Sequence, residues 1–359
     1  MLLSVIIPIY NGEKHVERAI RSVLAQMDGR VELILVNDGS TDNSGTICDQ
    51  YARGYSNVRV VHKANGGVSS SRNAGIDAAR GLYLSFLDSD DFWEQGCCNE
   101  ICKALQQTSP DILDFGWRYV TNGTPLSPAF HKIPKKELLN EQIIKETVLP
   151  PLLNLCEDSD HFIFDFVWAK VFKLEMLHSH RIRFDESRKI WEDRPFLVHY
   201  LKYSKTFYSM DQCFYNYVDT PNSLGRRYNM DFFRIIVENF QQYNALFGTE
   251  YDFDTQYVND YWCHAVENMI VHSLGETKNL KQIKQNILEA LSHEQVIHWY
   301  TKRSPQNAVE REISHLVISG EYEQVLLKYE KIWKKKQKKQ NRALLIYRTK
   351  QSVKRLLGR

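Results

Sequence analysis

Two groups of acids in the 359-residue chain have the types and spacing for chemistry. Asp88-Ser89-Asp90-Asp91 directly follows the apolar run Tyr83–Leu87, which reads as a strand. Closely spaced acids at a strand end repel one another unless a cation compensates. A hard divalent ion, Mn²⁺ or Mg²⁺, suits them, because it binds through one or two carboxylates plus phosphate oxygens and stabilises a departing diphosphate. A solvated acidic turn capping a helix near Trp93 would use the same residues. The second group is Glu192-Asp193, with Pro195 two residues on. Adjacent acids suit proton transfer, since one raises the proton affinity of the other, and an acidic helix N-terminus accounts for the pair equally well. Arg72 lies in Gly67-Val68-Ser69-Ser70-Ser71-Arg72-Asn73-Ala74-Gly75. This Gly- and Ser-rich helix start suits a phosphate or a polar nucleotide edge, the alternative being an exposed surface arginine.

These residues need a scaffold that brings distant loops together. Val5–Ile9, Val31–Val36, Val58–Val61 and Tyr83–Leu87 are β-rich and separated by helical patterns, which predicts a βαβ series and a largely parallel sheet. Ligands of such sheets sit at the carboxyl ends of the strands. There the sequence places Pro8-Ile9-Tyr10-Asn11-Gly12, Asn37-Asp38-Gly39-Ser40-Thr41-Asp42, Lys63-Ala64-Asn65-Gly66-Gly67 and Asp88-Ser89-Asp90-Asp91. Each loop alone is ordinary turn chemistry; together they carry complementary parts.

Further along, Ile112–Val120 reads as a strand, Glu137–Val148 and Val167–His178 as helical, and Phe207–Tyr208 and Cys213–Tyr217 as strands. Beyond Pro221 apolar residues recur at helical spacing through Phe232–Phe247, Tyr257–Leu274, Ile283–Leu291 and Ala308–Ile318.

The ordered set Val5-Ile6-Ile7-Pro8-Ile9-Tyr10-Asn11, Val36-Asn37-Asp38-Gly39-Ser40-Thr41-Asp42, Ser71-Arg72-Asn73-Ala74-Gly75 and Leu87-Asp88-Ser89-Asp90-Asp91 resembles the signature of family-2 glycosyltransferases of GT-A fold, strongly over residues 1–120 and more loosely to about 220. The resemblance implies that Pro8, Tyr10 and Asn11 line a base and ribose pocket, that Asp38 accepts from a uracil-type ring N–H, and that Asn65 and Arg72 complete the base side. Asp88 and Ser89 then lie on the nucleotide-sugar, Asp88 touching ribose or the metal shell. Asp90 is the metal ligand, and Asp91 a supporting or acceptor-side group. Asn37 stands where many relatives carry another acid. Val167-Trp168-Ala169-Lys170-Val171-Phe172 and Ile190-Trp191-Glu192-Asp193-Arg194-Pro195-Phe196 extend the resemblance. It makes Asp193 the general base of an inverting transfer, Glu192 its support and Trp191 an acceptor-side aromatic. The stretch Tyr217–Tyr228 resembles the family's mobile segment over the diphosphate, so Arg226 and Arg227 are expected to neutralise phosphate, although a solvated basic loop fits them too.

The implied fold class is α/β, a GT-A (Rossmann-like) mixed sheet with a helical C-terminal extension and a basic tail. The expected layout is a catalytic domain over 1–220, with a nucleotide-sugar half (1–120) and an acceptor half (121–220), then a helical region over 221–327 and an amphipathic tail over 328–359. The expected donor is a nucleotide-diphosphate sugar, UDP favoured, and the acceptor a saccharide or lipid-linked saccharide of cell-surface polysaccharide synthesis.

Composition narrows the partners. Hydrophobic residues make up 43% and charged ones 25%, as in ordinary globular proteins. The formal net charge of +2 conceals thirteen lysines and arginines against the single acid Glu330 after residue 327, on an otherwise acidic body. That asymmetry argues against a nucleic-acid-binding face. It points instead to an anionic membrane surface, because cations there flank Ala343–Tyr347, Val353, Leu356 and Leu357, or to a frayed solvated tail. Seven cysteines without paired C-x-x-C spacing read as reduced thiols. With a strand from the first residues and no apolar run of about 18 residues, the expected location is the cytoplasm, peripheral at the inner face of the membrane. Two other classes stay open: a nucleotidyltransferase, which would need a Gly-rich Lys/Arg phosphate loop in place of Pro8–Gly12, and a non-catalytic sugar- or membrane-binding module, which has no need of Asp88, Asp90, Glu192 and Asp193.

Overall fold

Runs of Val, Ile and Leu alternate with amphipathic helices through the first quarter of the chain. In the computed structural model, which describes residues 1–156, 165–219, 232–274, 279–335 and 337–338, these runs form β1 (Leu3–Ile9), β2 (Val31–Asp38), β3 (Val58–Lys63) and β4 (Tyr83–Phe86), joined by α1 (Val16–Leu24), α2 (Ser44–Gly54) and α3 (Gly67–Ala78). β1 and β2 are buried along their whole length, as strands covered on both faces must be, and their near-continuous apolar sequence suits that position. α1 turns Val16, Ala19, Ile20 and Val23 inward at helical spacing.

There follow β5 (Phe92–Trp93), α4 (Cys97–Thr108), β6 (Ile112–Thr121), β7 (Thr124–Pro125) and β8 (Leu138–Asn140). Next come α5 (Glu141–Ile143), a π-helical turn (Ile144–Val148), α6 (Leu149–Leu152), β9 (Lys170–Lys173), α7 (Leu174–Ser179), α8 (Asp193–Leu201) and β10 (Thr206–Val218). Among the described residues the strands form one mixed sheet of order β3-β2-β1-β4-β9-β6-β10-β5, with β7 and β8 at its margins. β1 pairs in parallel with β2 and β4, and β2 with β3. The carboxyl ends of all four strands therefore share one edge.

Three segments differ from the sequence expectation. Val167–His178 was to be helical, but Lys170–Lys173 is strand, inserted antiparallel between β4 and β6. Ladder hydrogen bonds on both sides outweigh local preference there, and only Leu174–Ser179 is helical. Leu138–Asn140 likewise pairs with β10, and the Asn140 side chain then caps α5. The two short strands expected near 207–217 are one long, bulged β10.

The chain divides into two compact units, Met1–Arg226 and Arg227–Arg359. The second contains α9 (Phe232–Phe247), α10 (Gln256–Ser273), α11 (Leu280–Leu291), α12 (Glu294–Lys302) and α13 (Ala308–Ile318), then a helix over residues 322–335. Trp262 stacks on Trp299 at 5.4 Å and meets Phe240 edge-on, in the core of this unit. No helix among the described residues is long and apolar enough to cross a membrane. The seven cysteines are free thiols.

Candidate active site

At the shared strand edge the loops after β1 and β2 are stapled together. Asn11 N donates to Ser40 Oγ (3.1 Å), Thr41 N to Asn11 Oδ1 (2.8 Å), Gly12 N to Ser44 Oγ (2.9 Å) and Glu13 N to Asp42 Oδ2 (3.1 Å). Asn11 sits in the left-handed region at φ 48°, a conformation Asn tolerates better than most residues. Pro8 is buried within β1 opposite Val36, whereas Tyr10 leaves the strand end 54% exposed. Gly39, at φ +67°, brings the β2 loop so close to the β3 loop that a Cβ would lie 2.8 Å from the Asn65 amide nitrogen. Asn65 Nδ2 in turn donates to the Asp38 carbonyl at 3.0 Å.

Asp38 is tied to the neighbouring loop. Its Oδ1 accepts from Lys63 Nζ at 2.6 Å and Gly66 N at 2.9 Å, and its Oδ2 from Gly67 N at 2.7 Å. Buried and bonded at both oxygens, the carboxylate fixes the β3 loop and the start of α3.

Arg72 bridges Asp88 and the Glu192–Asp193 pair. α3 lies hard against β1: a Cβ on Gly75 would fall 2.3 Å from Ile6 Cγ2. That close packing aims Arg72, only 3% exposed, across the sheet edge. Its Nη1 donates to Glu192 Oε1 at 2.8 Å and to Asp193 Oδ1 at 2.6 Å, and its Nη2 to Asp88 Oδ1 at 3.1 Å. The guanidinium also stands over the rings of Phe184 and Phe86 at 5.2 and 5.8 Å. Asn73, next on α3, exchanges hydrogen bonds with the Phe184 backbone at 2.9 Å and so docks the segment leading to Glu192. Trp191 adopts φ +56° and leaves its indole 40% exposed. For a bulky residue that backbone is strained, a feature that clusters at functional sites. Asp193 opens α8, and its Oδ2 accepts from Val167 N at 3.2 Å.

The turn after β4 divides its acids. Asp88 and Asp90 are partly exposed, and Ser89 lies against Gly12. Arg18 donates to the Asp90 carbonyl. Asp91 is 1% exposed and accepts from Tyr215 Oη at 2.6 Å and Val218 N at 2.7 Å. Its acceptor-side reading is therefore corrected, because the carboxylate points into the sheet and ties the turn to β10. Tyr215 also accepts from Asp88 N at 3.3 Å and stacks on Trp168, which stacks on Phe166.

Charge in this cleft is unbalanced. One guanidinium faces Asp88, Glu192 and Asp193, with Asp90 and Asp91 close by. Burial alone would weaken the Arg72 proton, but the three carboxylates, Asp193 foremost, raise its pKa. Burial lifts Asp193 above the usual carboxylate range, Arg72 opposes this, and Glu192 and Asp88 reinforce it. Burial, then Asp88 and Asp90, lifts Asp91. Among the described residues no cluster of three or more His, Cys, Asp or Glu side chains forms a metal cage. Asp88 and Asp90, both partly exposed on one turn, are residues of the type that could hold a hard cation such as Mg²⁺ or Mn²⁺, with water and ligand oxygens completing its shell.

The arrangement thus unites Asp88, Arg72, Glu192 and Asp193, with Asp90 on the same turn as Asp88. Lys63, Asn73, Tyr215 and the Val167 amide are parts that sequence reasoning missed. Lys63 carried a usable signal, as a cation closing a strand whose loop is polar and Gly-rich. Arg226 and Arg227 lie outside the described residues.

Comparison with known proteins gives the architecture its place. Residues 4–151 match the family model of glycosyl transferase family 2. The glycosyltransferase EpsJ of Bacillus subtilis is 31% identical over 302 residues, 82% of this chain and 85% of that protein. The minor teichoic acid biosynthesis protein GgaB of the same organism is 32% identical over 219 residues, 60% of this chain and 22% of that protein. A crystal structure of S. aureus TarS 1-349 in complex with UDP-GlcNAc superposes with TM-score 0.66 at 18% identity, over 93% of this chain and 92% of that one. The fold is GT-A, and a relative matched over more than four-fifths of both chains, together with the family model over the strand-end loops, shows that this chain belongs to glycosyl transferase family 2 and is a glycosyltransferase.

Proposed function

We propose that the protein transfers a sugar, with inversion, from a UDP-sugar to a saccharide or lipid-linked acceptor in cell-surface polysaccharide synthesis. The observation that carries this reading is the convergence on Arg72 of a donor-side acid, Asp88, and the acid pair Glu192 and Asp193. The acceptor hydroxyl oxygen bonds to the anomeric carbon, the bond from that carbon to the diphosphate oxygen breaks, and the hydroxyl proton passes to Asp193. Glu192 holds Arg72 and keeps the proton affinity of Asp193 high. Asp90 and Asp88 would hold Mn²⁺ or Mg²⁺, which when bound would supply charge that stabilises the leaving diphosphate. Tyr10 and Asn65 flank the base, Asn11 and Ser89 the ribose side, and the exposed Trp191 offers its face to an acceptor ring. The names of GgaB and of the TarS complex support a cell-wall polymer and a UDP-sugar. The expected result is UDP release from one member of a UDP-sugar panel that is lost with EDTA and restored by Mn²⁺. Absence of hydrolysis or transfer with every donor would leave a non-catalytic module, and pyrophosphate release a nucleotidyltransferase.

The tail completes the proposal. Lys331, Lys334, Lys335 and Lys338 are exposed on its described part, and the remainder of the basic amphipathic stretch lies outside the described residues. These cations dock the enzyme on anionic lipid at the inner face of the cell membrane, where a lipid-linked acceptor is presented. Truncation after Glu330 is expected to weaken sedimentation with phosphatidylglycerol vesicles and to spare UDP release. Equal sedimentation of both forms discards the docking role.

A further inference from the structure

The peptide unit between Phe166 and Val167 is hydrogen-bonded at both ends. Its N–H, on Val167, donates to Asp193 Oδ2 at 3.2 Å, and its carbonyl, on Phe166, accepts from Lys170 Nζ at 2.8 Å. Lys170 is fully buried, with Nζ 4.6 Å from the centre of the Phe166 ring. Ala169, at φ +56°, makes the bend that returns the chain so that residue 170 reaches residue 166.

A buried ammonium at this point calls for a reason. Its neighbours on β9, Val171 and Phe172, are apolar core, and an apolar side chain there would avoid the desolvation cost of a charge. Asp114, its register partner on β6, is fully buried and bonded to His131. Asp114 supports the lysine charge from the neighbouring strand. Hydrogen bonds in a chain polarise one another, most strongly at low dielectric, and Lys170, the 166–167 amide and Asp193 form such a chain.

We propose that Lys170 is a positioning residue for Asp193: its ammonium polarises the Phe166–Val167 amide, which strengthens and orients the N–H that holds the carboxylate. The proposal rests on the reading of Asp193 as the base. The groups around the chain set its electrostatics. Asp193 faces Arg72 from α3, Asp88 from the turn after β4 and Glu192 beside it. Lys170 is pulled down to about 8 by burial, while Asp114, Asp165 and Asp193 support its charge and Lys135 opposes it. His131, held down to about 4 mainly by burial, is neutral near pH 7.

The test follows the Asp193 carboxyl carbon by NMR titration, its signal assigned with Asp193→Asn, in wild type, Lys170→Met and Lys170→Met/Asp114→Asn. The double variant removes both buried charges, so it keeps the experiment decisive if Lys170→Met does not fold. Without the ammonium the carboxylate loses stabilisation, so its midpoint is expected to rise by about half a pH unit or more, with the Val167 amide proton moving upfield. A merely structural lysine would lower stability and leave both signals in place, and unchanged signals in either folded variant overturn the proposal. UDP release by Asp193→Asn, from the UDP-sugar that the wild type turns over, separates the two ideas. Full activity there defeats the base reading and the Lys170 role with it, whereas lost activity with an unmoved midpoint defeats only the Lys170 role.

Discussion

Asp193→Asn is expected to abolish sugar transfer while the nucleotide still binds. General-base catalysis contributes about 10²–10⁴-fold, and a loss of that size in kcat should appear with the Kd for UDP, measured by calorimetry, nearly unchanged. The separation is expected because Asp193 opens α8, whereas the nucleotide reading rests on the loops after β1 to β4. Stability moves in the opposite direction to activity. A carboxyl whose folded pKa lies above its unfolded value contributes stability at low pH that is lost as pH rises through the folded value. Asp193 is such a group, raised by burial against the pull of Arg72. The amide never ionises, so urea denaturation should find the variant at least as stable as wild type at pH 8, with the difference closing toward pH 4. Wild-type kcat/KM should rise along an acid limb above the ordinary carboxylate range. Turnover that survives in the variant while UDP binding disappears would assign the base elsewhere.

What the sequence could and could not convey follows from how far each relationship reaches along the chain. The parallel strands and their polar ends were legible because apolar runs followed by Gly, Asn and Asp are local patterns. β9 was not, since Val167–Phe172 is short and apolar but for Lys170, and such a run reads equally well as buried helix or buried strand until its partners β4 and β6 are known. α12 escaped for the opposite reason: nine residues give too few turns for Val296, Trp299 and Tyr300 to declare a face. The site divides in the same way. Residue types at Asp38, Arg72 and Asp91 were recognisable, but their partners were not. Arg72 meets acids 16, 120 and 121 positions away, and Asp91 meets Tyr215 at 124. A motif names the atoms available for chemistry, while the fold decides which of them remain free to perform it.

Arg72→Met should be the most damaging single change, because it affects folding and catalysis through the same three acids. In wild type the guanidinium is 3% exposed and its partners Glu192, Asp193 and Asp88 keep 12%, 19% and 26% of their side-chain exposure, so solvent screens these pairs only in part. Removing one partner of a buried ion pair costs about 3–5 kcal/mol, since it leaves uncompensated charge. Here it leaves three carboxylates facing one another. The folded pKa of Asp193, already above its unfolded value, rises further once Arg72 no longer opposes it, so the deficit relative to wild type should be small toward pH 4 and grow toward pH 8. Denaturant midpoints at the two pH values read this directly. Catalysis fails in parallel: with Asp193 more strongly protonated, the acid limb of kcat/KM shifts to higher pH, and the Glu192–Asp193 turn loses its anchor to α3. Arg72→Lys restores the charge but not the fork that reaches Glu192, Asp193 and Asp88 together. It should recover most of the pH-dependent stability and little of the activity. A lysine variant as active as wild type would mean that charge alone suffices and that the forked geometry contributes nothing to transfer.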